Sequence, residues 1–274
     1  MRISNIRSPE KRARFLAKSL KKMRSVTRGA AANTKVIFIA GMQRSGTTLL
    51  MDVMHYCPDV EVFDEAPNTQ VFKDYRIRST EILRDSVARS RFGHAAYKVI
   101  CDSHIIEDLI RAVPEVQIVW AYREARDNAE SQLRKFENAT RAIRLVCAGE
   151  PGGGWFAEGI SASVGKRVRD IDTSEFSEFD FACLVWWARN QLFFEKGLDQ
   201  SPNVRTVSYA DLAANPNGTL KKMFDWTGLD WSDRYARFVH SRSLGKRGLP
   251  PLAPQVAELC DELYARFEDT RRLR

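Results

Sequence analysis

A glycine-containing turn between an apolar run and a helix start is the segment of this chain best suited to chemistry. Residues 36–50 read VIFIAGMQRSGTTLL, a buried strand followed by a turn with Gly41 and Gly46 and then two threonines. Because the first amides of a helix have no partner within the helix, such a turn can hold phosphate oxygens with backbone N–H groups. The glycine spacing matches a nucleotide-triphosphate loop, G-x-x-x-x-G-K-[ST]. The segment therefore predicts an anion-binding loop.

The position of its cation distinguishes this turn from a triphosphate loop. Thr47 stands where that loop has lysine, and the positive charge lies inside the turn as Arg44. A triphosphate enzyme also needs a carboxylate at the end of a second strand to hold magnesium. The strongest later strand, 116–121, ends in Tyr122 and Arg123 instead. Both differences argue against a kinase or ATPase. Two alternatives stay open: a nucleotide kinase with a divergent loop, and a non-catalytic nucleotide-binding module.

Periodic apolar segments predict the elements that position this turn. Strands are predicted at 36–40, 60–63, 96–100, 116–121 and 203–207. Helices are predicted at 47–56, 103–112, 125–138 and 180–196, the last with Trp186 and Trp187 in the core, and 149–178 is predicted to be a long loop. The alternation predicts a single α/β domain, with a central parallel sheet flanked by helices and a P-loop-like, nucleotide-kinase-like core. Ligands of such sheets bind at the carboxyl ends of the strands.

Three separated blocks of the chain resemble the sulfotransferase family. The turn with Arg44 is similar to the family's 5′-phosphosulfate loop. Residues 123–131 resemble its 3′-phosphate site, in which an arginine and a serine eight residues later contact one phosphate. Residues 207–216 are similar to the family's Y-E-D-L…P element beside the nucleotide. The blocks follow the family's order, and the resemblance spans residues 35 to 250.

The resemblance implies a donor, a reaction and a set of donor-binding residues. The donor would be 3′-phosphoadenosine 5′-phosphosulfate (PAPS), used without a metal ion, and its sulfuryl group would pass in line to an acceptor hydroxyl or amine. The implied donor-binding residues are Gln43, Arg44, Ser45, Gly46, Thr47, Thr48, Arg123, Ser131 and Tyr209. A basic C-terminal segment adds three candidates for the 3′-phosphate: Arg242, Lys246 and Arg247. A solvated connector is equally consistent with this segment.

Two cations are implied to act in the transfer itself. Positive groups must stabilise the charge that develops on the leaving phosphate. Arg44 is the candidate for this role, and Lys98 is the candidate for contacting the sulfuryl oxygens. Family members with a Lys-x-His pair use that histidine as the base, but the corresponding position in this chain is Ile100. The base must therefore come from another segment.

Glu65 is the candidate base. It follows the predicted strand 60–63 and matches the glutamate of tyrosylprotein-type and other Glu-based sulfotransferases. A glutamate in an apolar mouth can have a pKa high enough for general base catalysis. Asp64 and His104 are the other candidates, and the structural alternative is that Glu65 only caps the next helix.

The remaining blocks also have structural interpretations without a ligand. Arg123 and Arg126 can line a solvated helix face, which is common for paired arginines. Ser208 and Asp211 can form a box-like cap at a helix start. The occurrence of all three blocks in one α/β pattern favours the functional interpretation.

The positive charge of the chain is concentrated at its N terminus. Residues 1–35 contain eleven Lys/Arg and one Glu, so the remaining residues carry a net charge of −2. The chain is therefore predicted to consist of a basic arm, 1–34, and a catalytic domain, 35–274, without the basic face of a nucleic-acid-binding domain. The arm has a short apolar stripe and can bind anionic membranes weakly or contact acidic partners, although its weak hydrophobicity favours a solvated extension.

Composition further limits location and partners. Five scattered cysteines without a C-x-x-C pair or an export signal favour reduced thiols and a cytoplasmic protein, with peripheral membrane contact as an addition. The histidines show no metal-ligand spacing, so no zinc is expected.

The acceptor is not identified by the sequence. Glycan, lipid, small molecule and peptide all stay open, and residues 66–95 and 149–178 are expected to set specificity. The basic arm mildly favours an acidic or membrane-associated acceptor, and the oligomeric state is not predicted.

Overall fold

The computed structural model describes residues 33–136, 139–239 and 248–272, together with Leu16. The basic arm, apart from Leu16 and residues 33–34, and the candidates Arg242, Lys246 and Arg247 lie outside these residues. The strands of the described part are β1 Lys35–Gly41, β2 Val60–Phe63, β3 Phe72–Lys73, β4 Arg76–Ile77, β5 His94–Lys98, β6 Gln117–Tyr122 and β7 Val204–Ser208.

Helices separate most of these strands. They are α1 Thr47–Tyr56, α2 Thr80–Ala88, α3 Ile106–Ala112, α4 Ala125–Lys135, α5 Ala139–Ala148, α6 Ala162–Arg169, α7 Glu178–Glu195, α8 Tyr209–Ala214, α9 Pro216–Thr227 and α10 Pro254–Arg272. Among the residues of the described ranges, no helix has the length and apolar character needed to cross a membrane.

The central sheet is parallel and has the strand order β2-β5-β1-β6-β7. β3 and β4 form a separate antiparallel hairpin between β2 and α2. The central position of β1 explains its nearly continuous apolar sequence, because a parallel strand with helices on both faces is buried on both sides. The predicted α/β fold with a parallel sheet flanked by helices is confirmed.

The two faces of β1 belong to two different cores. Val36 and Phe38 pack in the core that contains α7 and α10, whereas Ile37 and Ile39 pack in the core that contains α1 and α9. This division follows from the alternation of side chains along a strand. Trp186 of α7 is fully buried in the first core, and its neighbour Trp187 is also buried there, as predicted.

Several predicted boundaries are wrong. The strand predicted at 96–100 is His94–Lys98, because the N–H of Val99 makes the last hydrogen bond to β1, at 3.0 Å from the carbonyl oxygen of Ile39, and Ile100 is buried without pairing to the sheet. The helix predicted at 125–138 ends at Lys135. The loop predicted at 149–178 contains a 3₁₀ turn, Gly154–Phe156, and the helix α6. The glycines at its start obscure a helix signal, which is the N-cap Ser161 followed by buried Val164 and Val168.

Candidate active site

The candidate residues follow the carboxyl ends of adjacent strands. The turn of residues 41–48, called the anion loop, follows β1, and Glu65 comes two residues after β2. Lys98 is the last residue of β5, and Arg123 comes directly after β6. Because β2, β5, β1 and β6 are neighbours in one parallel sheet, their carboxyl ends share one edge. The topology therefore brings segments that are far apart in sequence to one place.

The backbone of the anion loop requires glycine at two positions. Gly41 has a φ of 119°, and a Cβ there would lie 2.2 Å from the carbonyl oxygen of Ala121 on β6. Gly46 has a φ of 96°, and a Cβ there would lie 2.8 Å from the ring of Tyr209. Arg44 also has a positive φ, 67°, which non-glycine residues rarely adopt. The loop thus approaches β6 and α8 more closely than a chain with side chains at these glycines could.

Helix α4 holds the anion loop through polar side chains. The Nδ2 of Asn128 donates to the carbonyl oxygen of Gln43 at 2.8 Å and to the Oγ of Ser45 at 3.1 Å. Gln132 donates to the same carbonyl at 3.5 Å. Asn128 is fully buried, and sequence analysis missed it. Its spacing of three residues from Ser131, which puts both on one helix face, is the signal that could have found it.

Arg44, Ser131, Arg123 and Tyr209 form one contact cluster. The Nε of Arg44 donates to the Oγ of Ser131 at 3.0 Å, and the Nη1 of Arg123 donates to the carbonyl oxygen of Arg44 at 3.3 Å. The guanidinium of Arg123 lies over the ring of Tyr209, 4.3 Å from its centroid. Arg123 is only 4% exposed, so the interpretation as a solvated arginine is wrong. Burial and, secondly, the guanidinium of Arg123 lower the pKa of Arg44.

The predicted cap at the start of α8 is also wrong. Ser208 is the N-cap residue, but its side chain makes no capping hydrogen bond. The carboxylate of Asp211 pairs instead with Arg271 of α10. This leaves α8 available as the support of Tyr209, whose ring contacts both Gly46 and Arg123.

A cavity of about 560 Å³ opens beside the anion loop. Gln43, Arg44, Thr47 and Thr48 line it from the loop, and Glu65 and Lys98 line it from the ends of β2 and β5. The other donor-site candidates in the described ranges are not part of this lining: Ser45 and Gly46 are in the loop, and Arg123, Ser131 and Tyr209 form the cluster around its backbone. The structure thus brings the three catalytic candidates into one cavity and the others into contact with its wall.

Glu65 is held in the cavity by the turn after β5. Its Oε1 accepts a hydrogen bond from the backbone N–H of Cys101 at 2.8 Å, and its Oε2 lies 3.9 Å from the Nζ of Lys98. The side chain is 4% exposed. Burial raises the pKa of Glu65 to about 7, and the Cys101 N–H and Lys98 oppose this shift. The Nζ of Lys98 also donates to the Oγ1 of Thr48 at 3.2 Å, which links Glu65 to the anion loop.

The alternatives to Glu65 as the base are a role of Glu65 as a helix cap and the side chains of Asp64 and His104 as bases. Helix α2 is capped by the Oγ of Ser79, so Glu65 does not cap it. The Oδ2 of Asp64 lies 2.8 Å from the Nε2 of buried His55. The Nε2 of His104 lies 3.7 Å from the Oε2 of Glu158. Neither Asp64 nor His104 lines the cavity, which leaves Glu65 as the candidate base that faces it.

Within the described ranges, His, Cys, Asp and Glu do not form a group of three or more that could hold a metal ion. The five cysteines are free and buried.

Comparison with known proteins identifies the family of this fold and site. A family model described as "Sulfotransferase domain" matches residues 34–245. The chain belongs to the sulfotransferase family. No curated protein matches its sequence.

Solved structures show the same fold at low identity. This sulfotransferase is similar to the sulfotransferase domain from the curacin biosynthetic pathway, with a TM-score of 0.52 and 14% identity over 85% of this chain and 99% of that domain. It is also similar to mouse sulfotransferase SULT7A1 complexed with PAP, with a TM-score of 0.50 and 15% identity over 89% of each chain. At these identities the likeness establishes the sulfotransferase fold.

Sequence analysis expected residues 66–95 and 149–178 to set the specificity of this sulfotransferase, but it named none of the side chains that line the outer part of the cavity. Asp74, Tyr75 and Arg76 line it from the β3–β4 hairpin, and Phe136 and Trp155 line it from the segments after α4 and α5. The hairpin carries no glycine at its turn, so the usual sequence signal is absent. Phe136 and Trp155 lie in segments where no periodicity marks individual side chains.

Proposed function

We propose that this sulfotransferase transfers a sulfuryl group from PAPS to an acceptor hydroxyl or amine, with Glu65 as the base and without a metal ion. The observation that carries this proposal is the shared cavity, in which a buried carboxyl, a lysine and an anion loop with its own arginine face one space. These three groups meet the three requirements of the reaction. They are a base that takes the acceptor proton, a positive charge beside the transferred sulfuryl group and a positive charge beside the leaving phosphate.

The anion loop is suited to the 5′ end of the donor. Gly46 is the N-cap of α1 and provides no side-chain cap, so the first amides of α1 are available to anion oxygens. The positive end of the helix dipole and the guanidinium of Arg44 add to this attraction. The hydroxyls of Thr47 and Thr48 complete the set of donors. These groups would hold the phosphosulfate.

The cluster around Arg123 is suited to a second anion. Arg123 and Ser131 both contact Arg44. Burial and, secondly, repulsion from the guanidinium of Arg123 lower the pKa of Arg44. An anion bound between the two guanidinium groups would relieve this repulsion. Arg123 and Ser131 would therefore hold the 3′-phosphate, with Tyr209 beside them. Arg242, Lys246 and Arg247 stay candidates for the same phosphate.

Glu65 and Lys98 are suited to the transfer step. The donor supplies a sulfuryl group on a phosphate leaving group, and the new bond joins its sulfur to the acceptor oxygen or nitrogen as the bond to phosphate breaks. The Oε1 of Glu65 is held by Cys101, so its Oε2 would take the acceptor proton. Lys98 lies between Glu65 and Thr48, where its ammonium can contact sulfuryl oxygens. Arg44 would stabilise the leaving phosphate, so that fixed cations replace the magnesium of phosphoryl transfer.

Calorimetric titration with 3′-phosphoadenosine 5′-phosphate (PAP), in the presence of a chelator, tests the donor site. PAP is expected to bind, and ATP with magnesium is not. Arg44→Ala is expected to weaken PAP binding by about 10- to 100-fold, the contribution of one or two charge-assisted hydrogen bonds. Arg84→Ala is the matched control, because Arg84 is exposed, pairs with Glu81 at 3.5 Å and does not line the cavity.

The outcomes separate the alternatives. Tighter binding of ATP with magnesium than of PAP would contradict the proposal and favour a divergent nucleotide kinase. PAP binding without donor consumption in any cell extract would favour a non-catalytic nucleotide-binding module. A mass gain of one sulfate on an extract component, dependent on Glu65, is the result expected for the enzyme.

A further inference from the structure

The cavity has an outer wall that the donor site does not use. Tyr75 from the β3–β4 hairpin, Phe136 after α4 and Trp155 of the Gly154–Phe156 turn line it, and they are called the aromatic wall. Tyr75 is 50% exposed and Phe136 is 38% exposed, although large aromatic side chains are normally covered. Ligand sites are typically concave, with apolar and aromatic lining and a few polar groups. The aromatic wall therefore has the character of a binding surface.

The hairpin holds Tyr75 in a backbone conformation that does not suit tyrosine. Asp74 and Tyr75 have φ values of 50° and 65°, so both central residues of the two-residue turn are left-handed. Turns of this kind are normally Asn-Gly or Asp-Gly, because glycine has no penalty at positive φ. Tyrosine at such a position indicates that its side chain, rather than the turn, determines the residue.

Backbone contacts fix the tip of the hairpin beside Glu65. The N–H of Asp74 donates to the carbonyl oxygen of Pro67 at 2.7 Å, and the N–H of Tyr75 donates to that of Ala66 at 3.1 Å. Ala66 and Pro67 directly follow Glu65. The strained turn is thus attached to the segment that carries the proposed base.

Arg76 connects the hairpin to the rest of the site. Its Nη1 donates to the carbonyl oxygen of Cys101 at 3.1 Å, and the N–H of Cys101 holds Glu65. Its Nη2 lies 2.6 Å from the Oε2 of Glu158, three residues after Trp155. Arg76 therefore ties the two sides of the aromatic wall together, and the charge of Arg76 is matched by Glu158.

The charges around the cavity disfavour an anionic acceptor. Arg44 and Lys98 are assigned to the donor, which is itself polyanionic, and Arg76 is paired with Glu158. Asp74 is exposed at the outer wall, and no ion pair joins its carboxylate to any residue in the described ranges. Aromatic faces favour flat rings and cations over anions. The outer wall is therefore suited to a ring with a neutral or positive substituent.

We propose that the aromatic wall binds the acceptor, and that the acceptor is a small aromatic alcohol or amine without negative charge. The inference rests on the proposed function, because Glu65 must face the acceptor proton from the inner end of the same cavity. The proposed acceptor differs from the acidic or membrane-associated acceptor that the sequence of the basic arm favours.

Three phenols that differ in charge at the end of a short side arm test the acceptor class. They are tyramine, 4-ethylphenol and 4-hydroxyphenylacetate, titrated into the PAP-loaded enzyme. Tyramine and 4-ethylphenol are expected to bind, and 4-hydroxyphenylacetate is expected to bind at least about 10-fold more weakly than tyramine. Asp74→Asn removes the exposed carboxylate. It is therefore expected to reduce the preference for tyramine over 4-hydroxyphenylacetate, measured as the ratio of their affinities, by about 3-fold or more.

Tyr75→Gly tests the wall apart from the stability of the fold. Glycine relieves the strain of the turn, so the melting temperature is expected to stay or rise. The affinity for tyramine and 4-ethylphenol is expected to fall about 10-fold because a ring contact is lost, with PAP affinity unchanged. Tyr75→Phe should retain binding. Lys73→Ala is the control, because Lys73 is exposed in the same hairpin and does not line the cavity.

Each failure has a distinct signature. If PAP itself does not bind, the proposed function is wrong. If PAP binds but none of the three phenols does, or if 4-hydroxyphenylacetate binds best, the acceptor inference alone is overturned. Unchanged phenol affinity in Tyr75→Gly would show that Tyr75 has only a structural role.

Discussion

At the scale of single residues, the burial of Glu65 links catalysis to stability. Its pKa in the folded protein is about 7, against 4.5 for the exposed group. Between these two values the folded state holds a proton that the unfolded state has lost, so stability falls as the pH rises through this window. One pKa unit corresponds to about 1.4 kcal/mol, so the total loss above pH 7 is at most about 3.5 kcal/mol. The proposed base thus lowers the stability of its own domain at the pH at which it acts.

Glu65→Gln is expected to remove turnover and to stabilise the fold. Loss of a general base reduces rates by about 100- to 10,000-fold, while PAP binding should be unchanged. The wild-type rate should rise with pH through about 7, as Glu65 loses its proton, and this rise should be absent in the variant. In urea denaturation the variant should gain up to about 3.5 kcal/mol above pH 7 and nothing at pH 4.

Asp64→Asn is the matched control for this prediction. Asp64 precedes Glu65 but contacts His55 and does not line the cavity. The control should keep the rise in rate with pH. Near-normal turnover in Glu65→Gln would eliminate Glu65 as the base and return the question to the other acids of the site.

Sequence patterns located the charged candidates of the site but not their supports. Arg123 and Ser131 are linked by a motif spacing of eight residues, Arg44 belongs to a separate motif, and the structure places both in contact with Arg44. The N–H that holds Glu65 belongs to Cys101, 36 residues away, and the amide that holds the anion loop belongs to Asn128. Such contacts depend on which strand ends become neighbours in the sheet. No local pattern encodes the Cys101 contact, whereas the three-residue spacing of Asn128 from Ser131 does put both on one face of α4.

At the scale of elements, the strand–loop–helix unit of β1, the anion loop and α1 depends on the close approach of β1 to β6. Gly41 lies opposite Ala121 in the β1–β6 pairing, so the two backbones cannot separate without loss of the ladder. The clash that a Cβ would make at Gly41 is with a backbone oxygen, which cannot rotate away as a side chain could. The position of the loop relative to Arg123 therefore depends on this glycine.

Gly41→Ala is expected to cost about 3 kcal/mol or more in unfolding free energy, from overpacking and the positive φ together. Gly197→Ala is the matched control, because Gly197 also has a positive φ, 62°, but a Cβ there would meet nothing within 4 Å. The control should lose only the backbone penalty, about 1–2 kcal/mol. Urea denaturation measures both. Equal losses would show that the conformation of Gly41, and not its contact with β6, limits the substitution.

Elements were predictable where their local signals agreed with their tertiary environment. The helix 47–56 and the strand 60–63 have the predicted boundaries. The β3–β4 hairpin was not predicted, because its turn is Asp74-Tyr75 instead of a glycine turn. The strand end at Lys98 was placed two residues late, because Val99 and Ile100 are as apolar as the strand. The backbone leaves the sheet after the hydrogen bond of Val99 to Ile39, although the side chains stay buried, and an apolar run indicates burial without indicating strand pairing.

At the scale of the whole molecule, the core extends beyond the segment that matches the family. The family match ends at residue 245, whereas α10 contributes five buried apolar side chains: Val256, Leu259, Cys260, Leu263 and Phe267. The ring of Phe267 stacks on Tyr122 with a centroid distance of 4.8 Å, and the hydroxyl of Tyr122 donates to Glu268. Because Tyr122 precedes Arg123, α10 supports the strand end of the proposed 3′-phosphate site. This supports the predicted domain of residues 35–274, which stays a prediction, as does the cytoplasmic location.

Two truncations test this division of the chain. Removal of residues 250–274 should prevent stable folding, because five buried apolar side chains amount to roughly 10 kcal/mol, comparable to the total stability of a domain. Removal of residues 1–32 eliminates ten Lys/Arg and one Glu, which changes the net charge from +8 to −1. The buried core of the described ranges lies between Val36 and Phe267, so the second truncation should keep the melting temperature and PAP affinity.

Circular dichroism melts and cosedimentation with vesicles containing anionic lipid distinguish the roles of the two ends. The N-terminal truncation should lose any salt-sensitive vesicle binding of the full chain, because that attraction depends on its ten basic residues. Phe267→Ala serves as the graded control for α10, with an expected loss of about 3–5 kcal/mol in a still folded protein. A cooperative melt near the wild-type temperature after removal of 250–274 would contradict the assignment of α10 to the catalytic core. A large drop in melting temperature after removal of 1–32 would instead show that the arm is part of the folded domain.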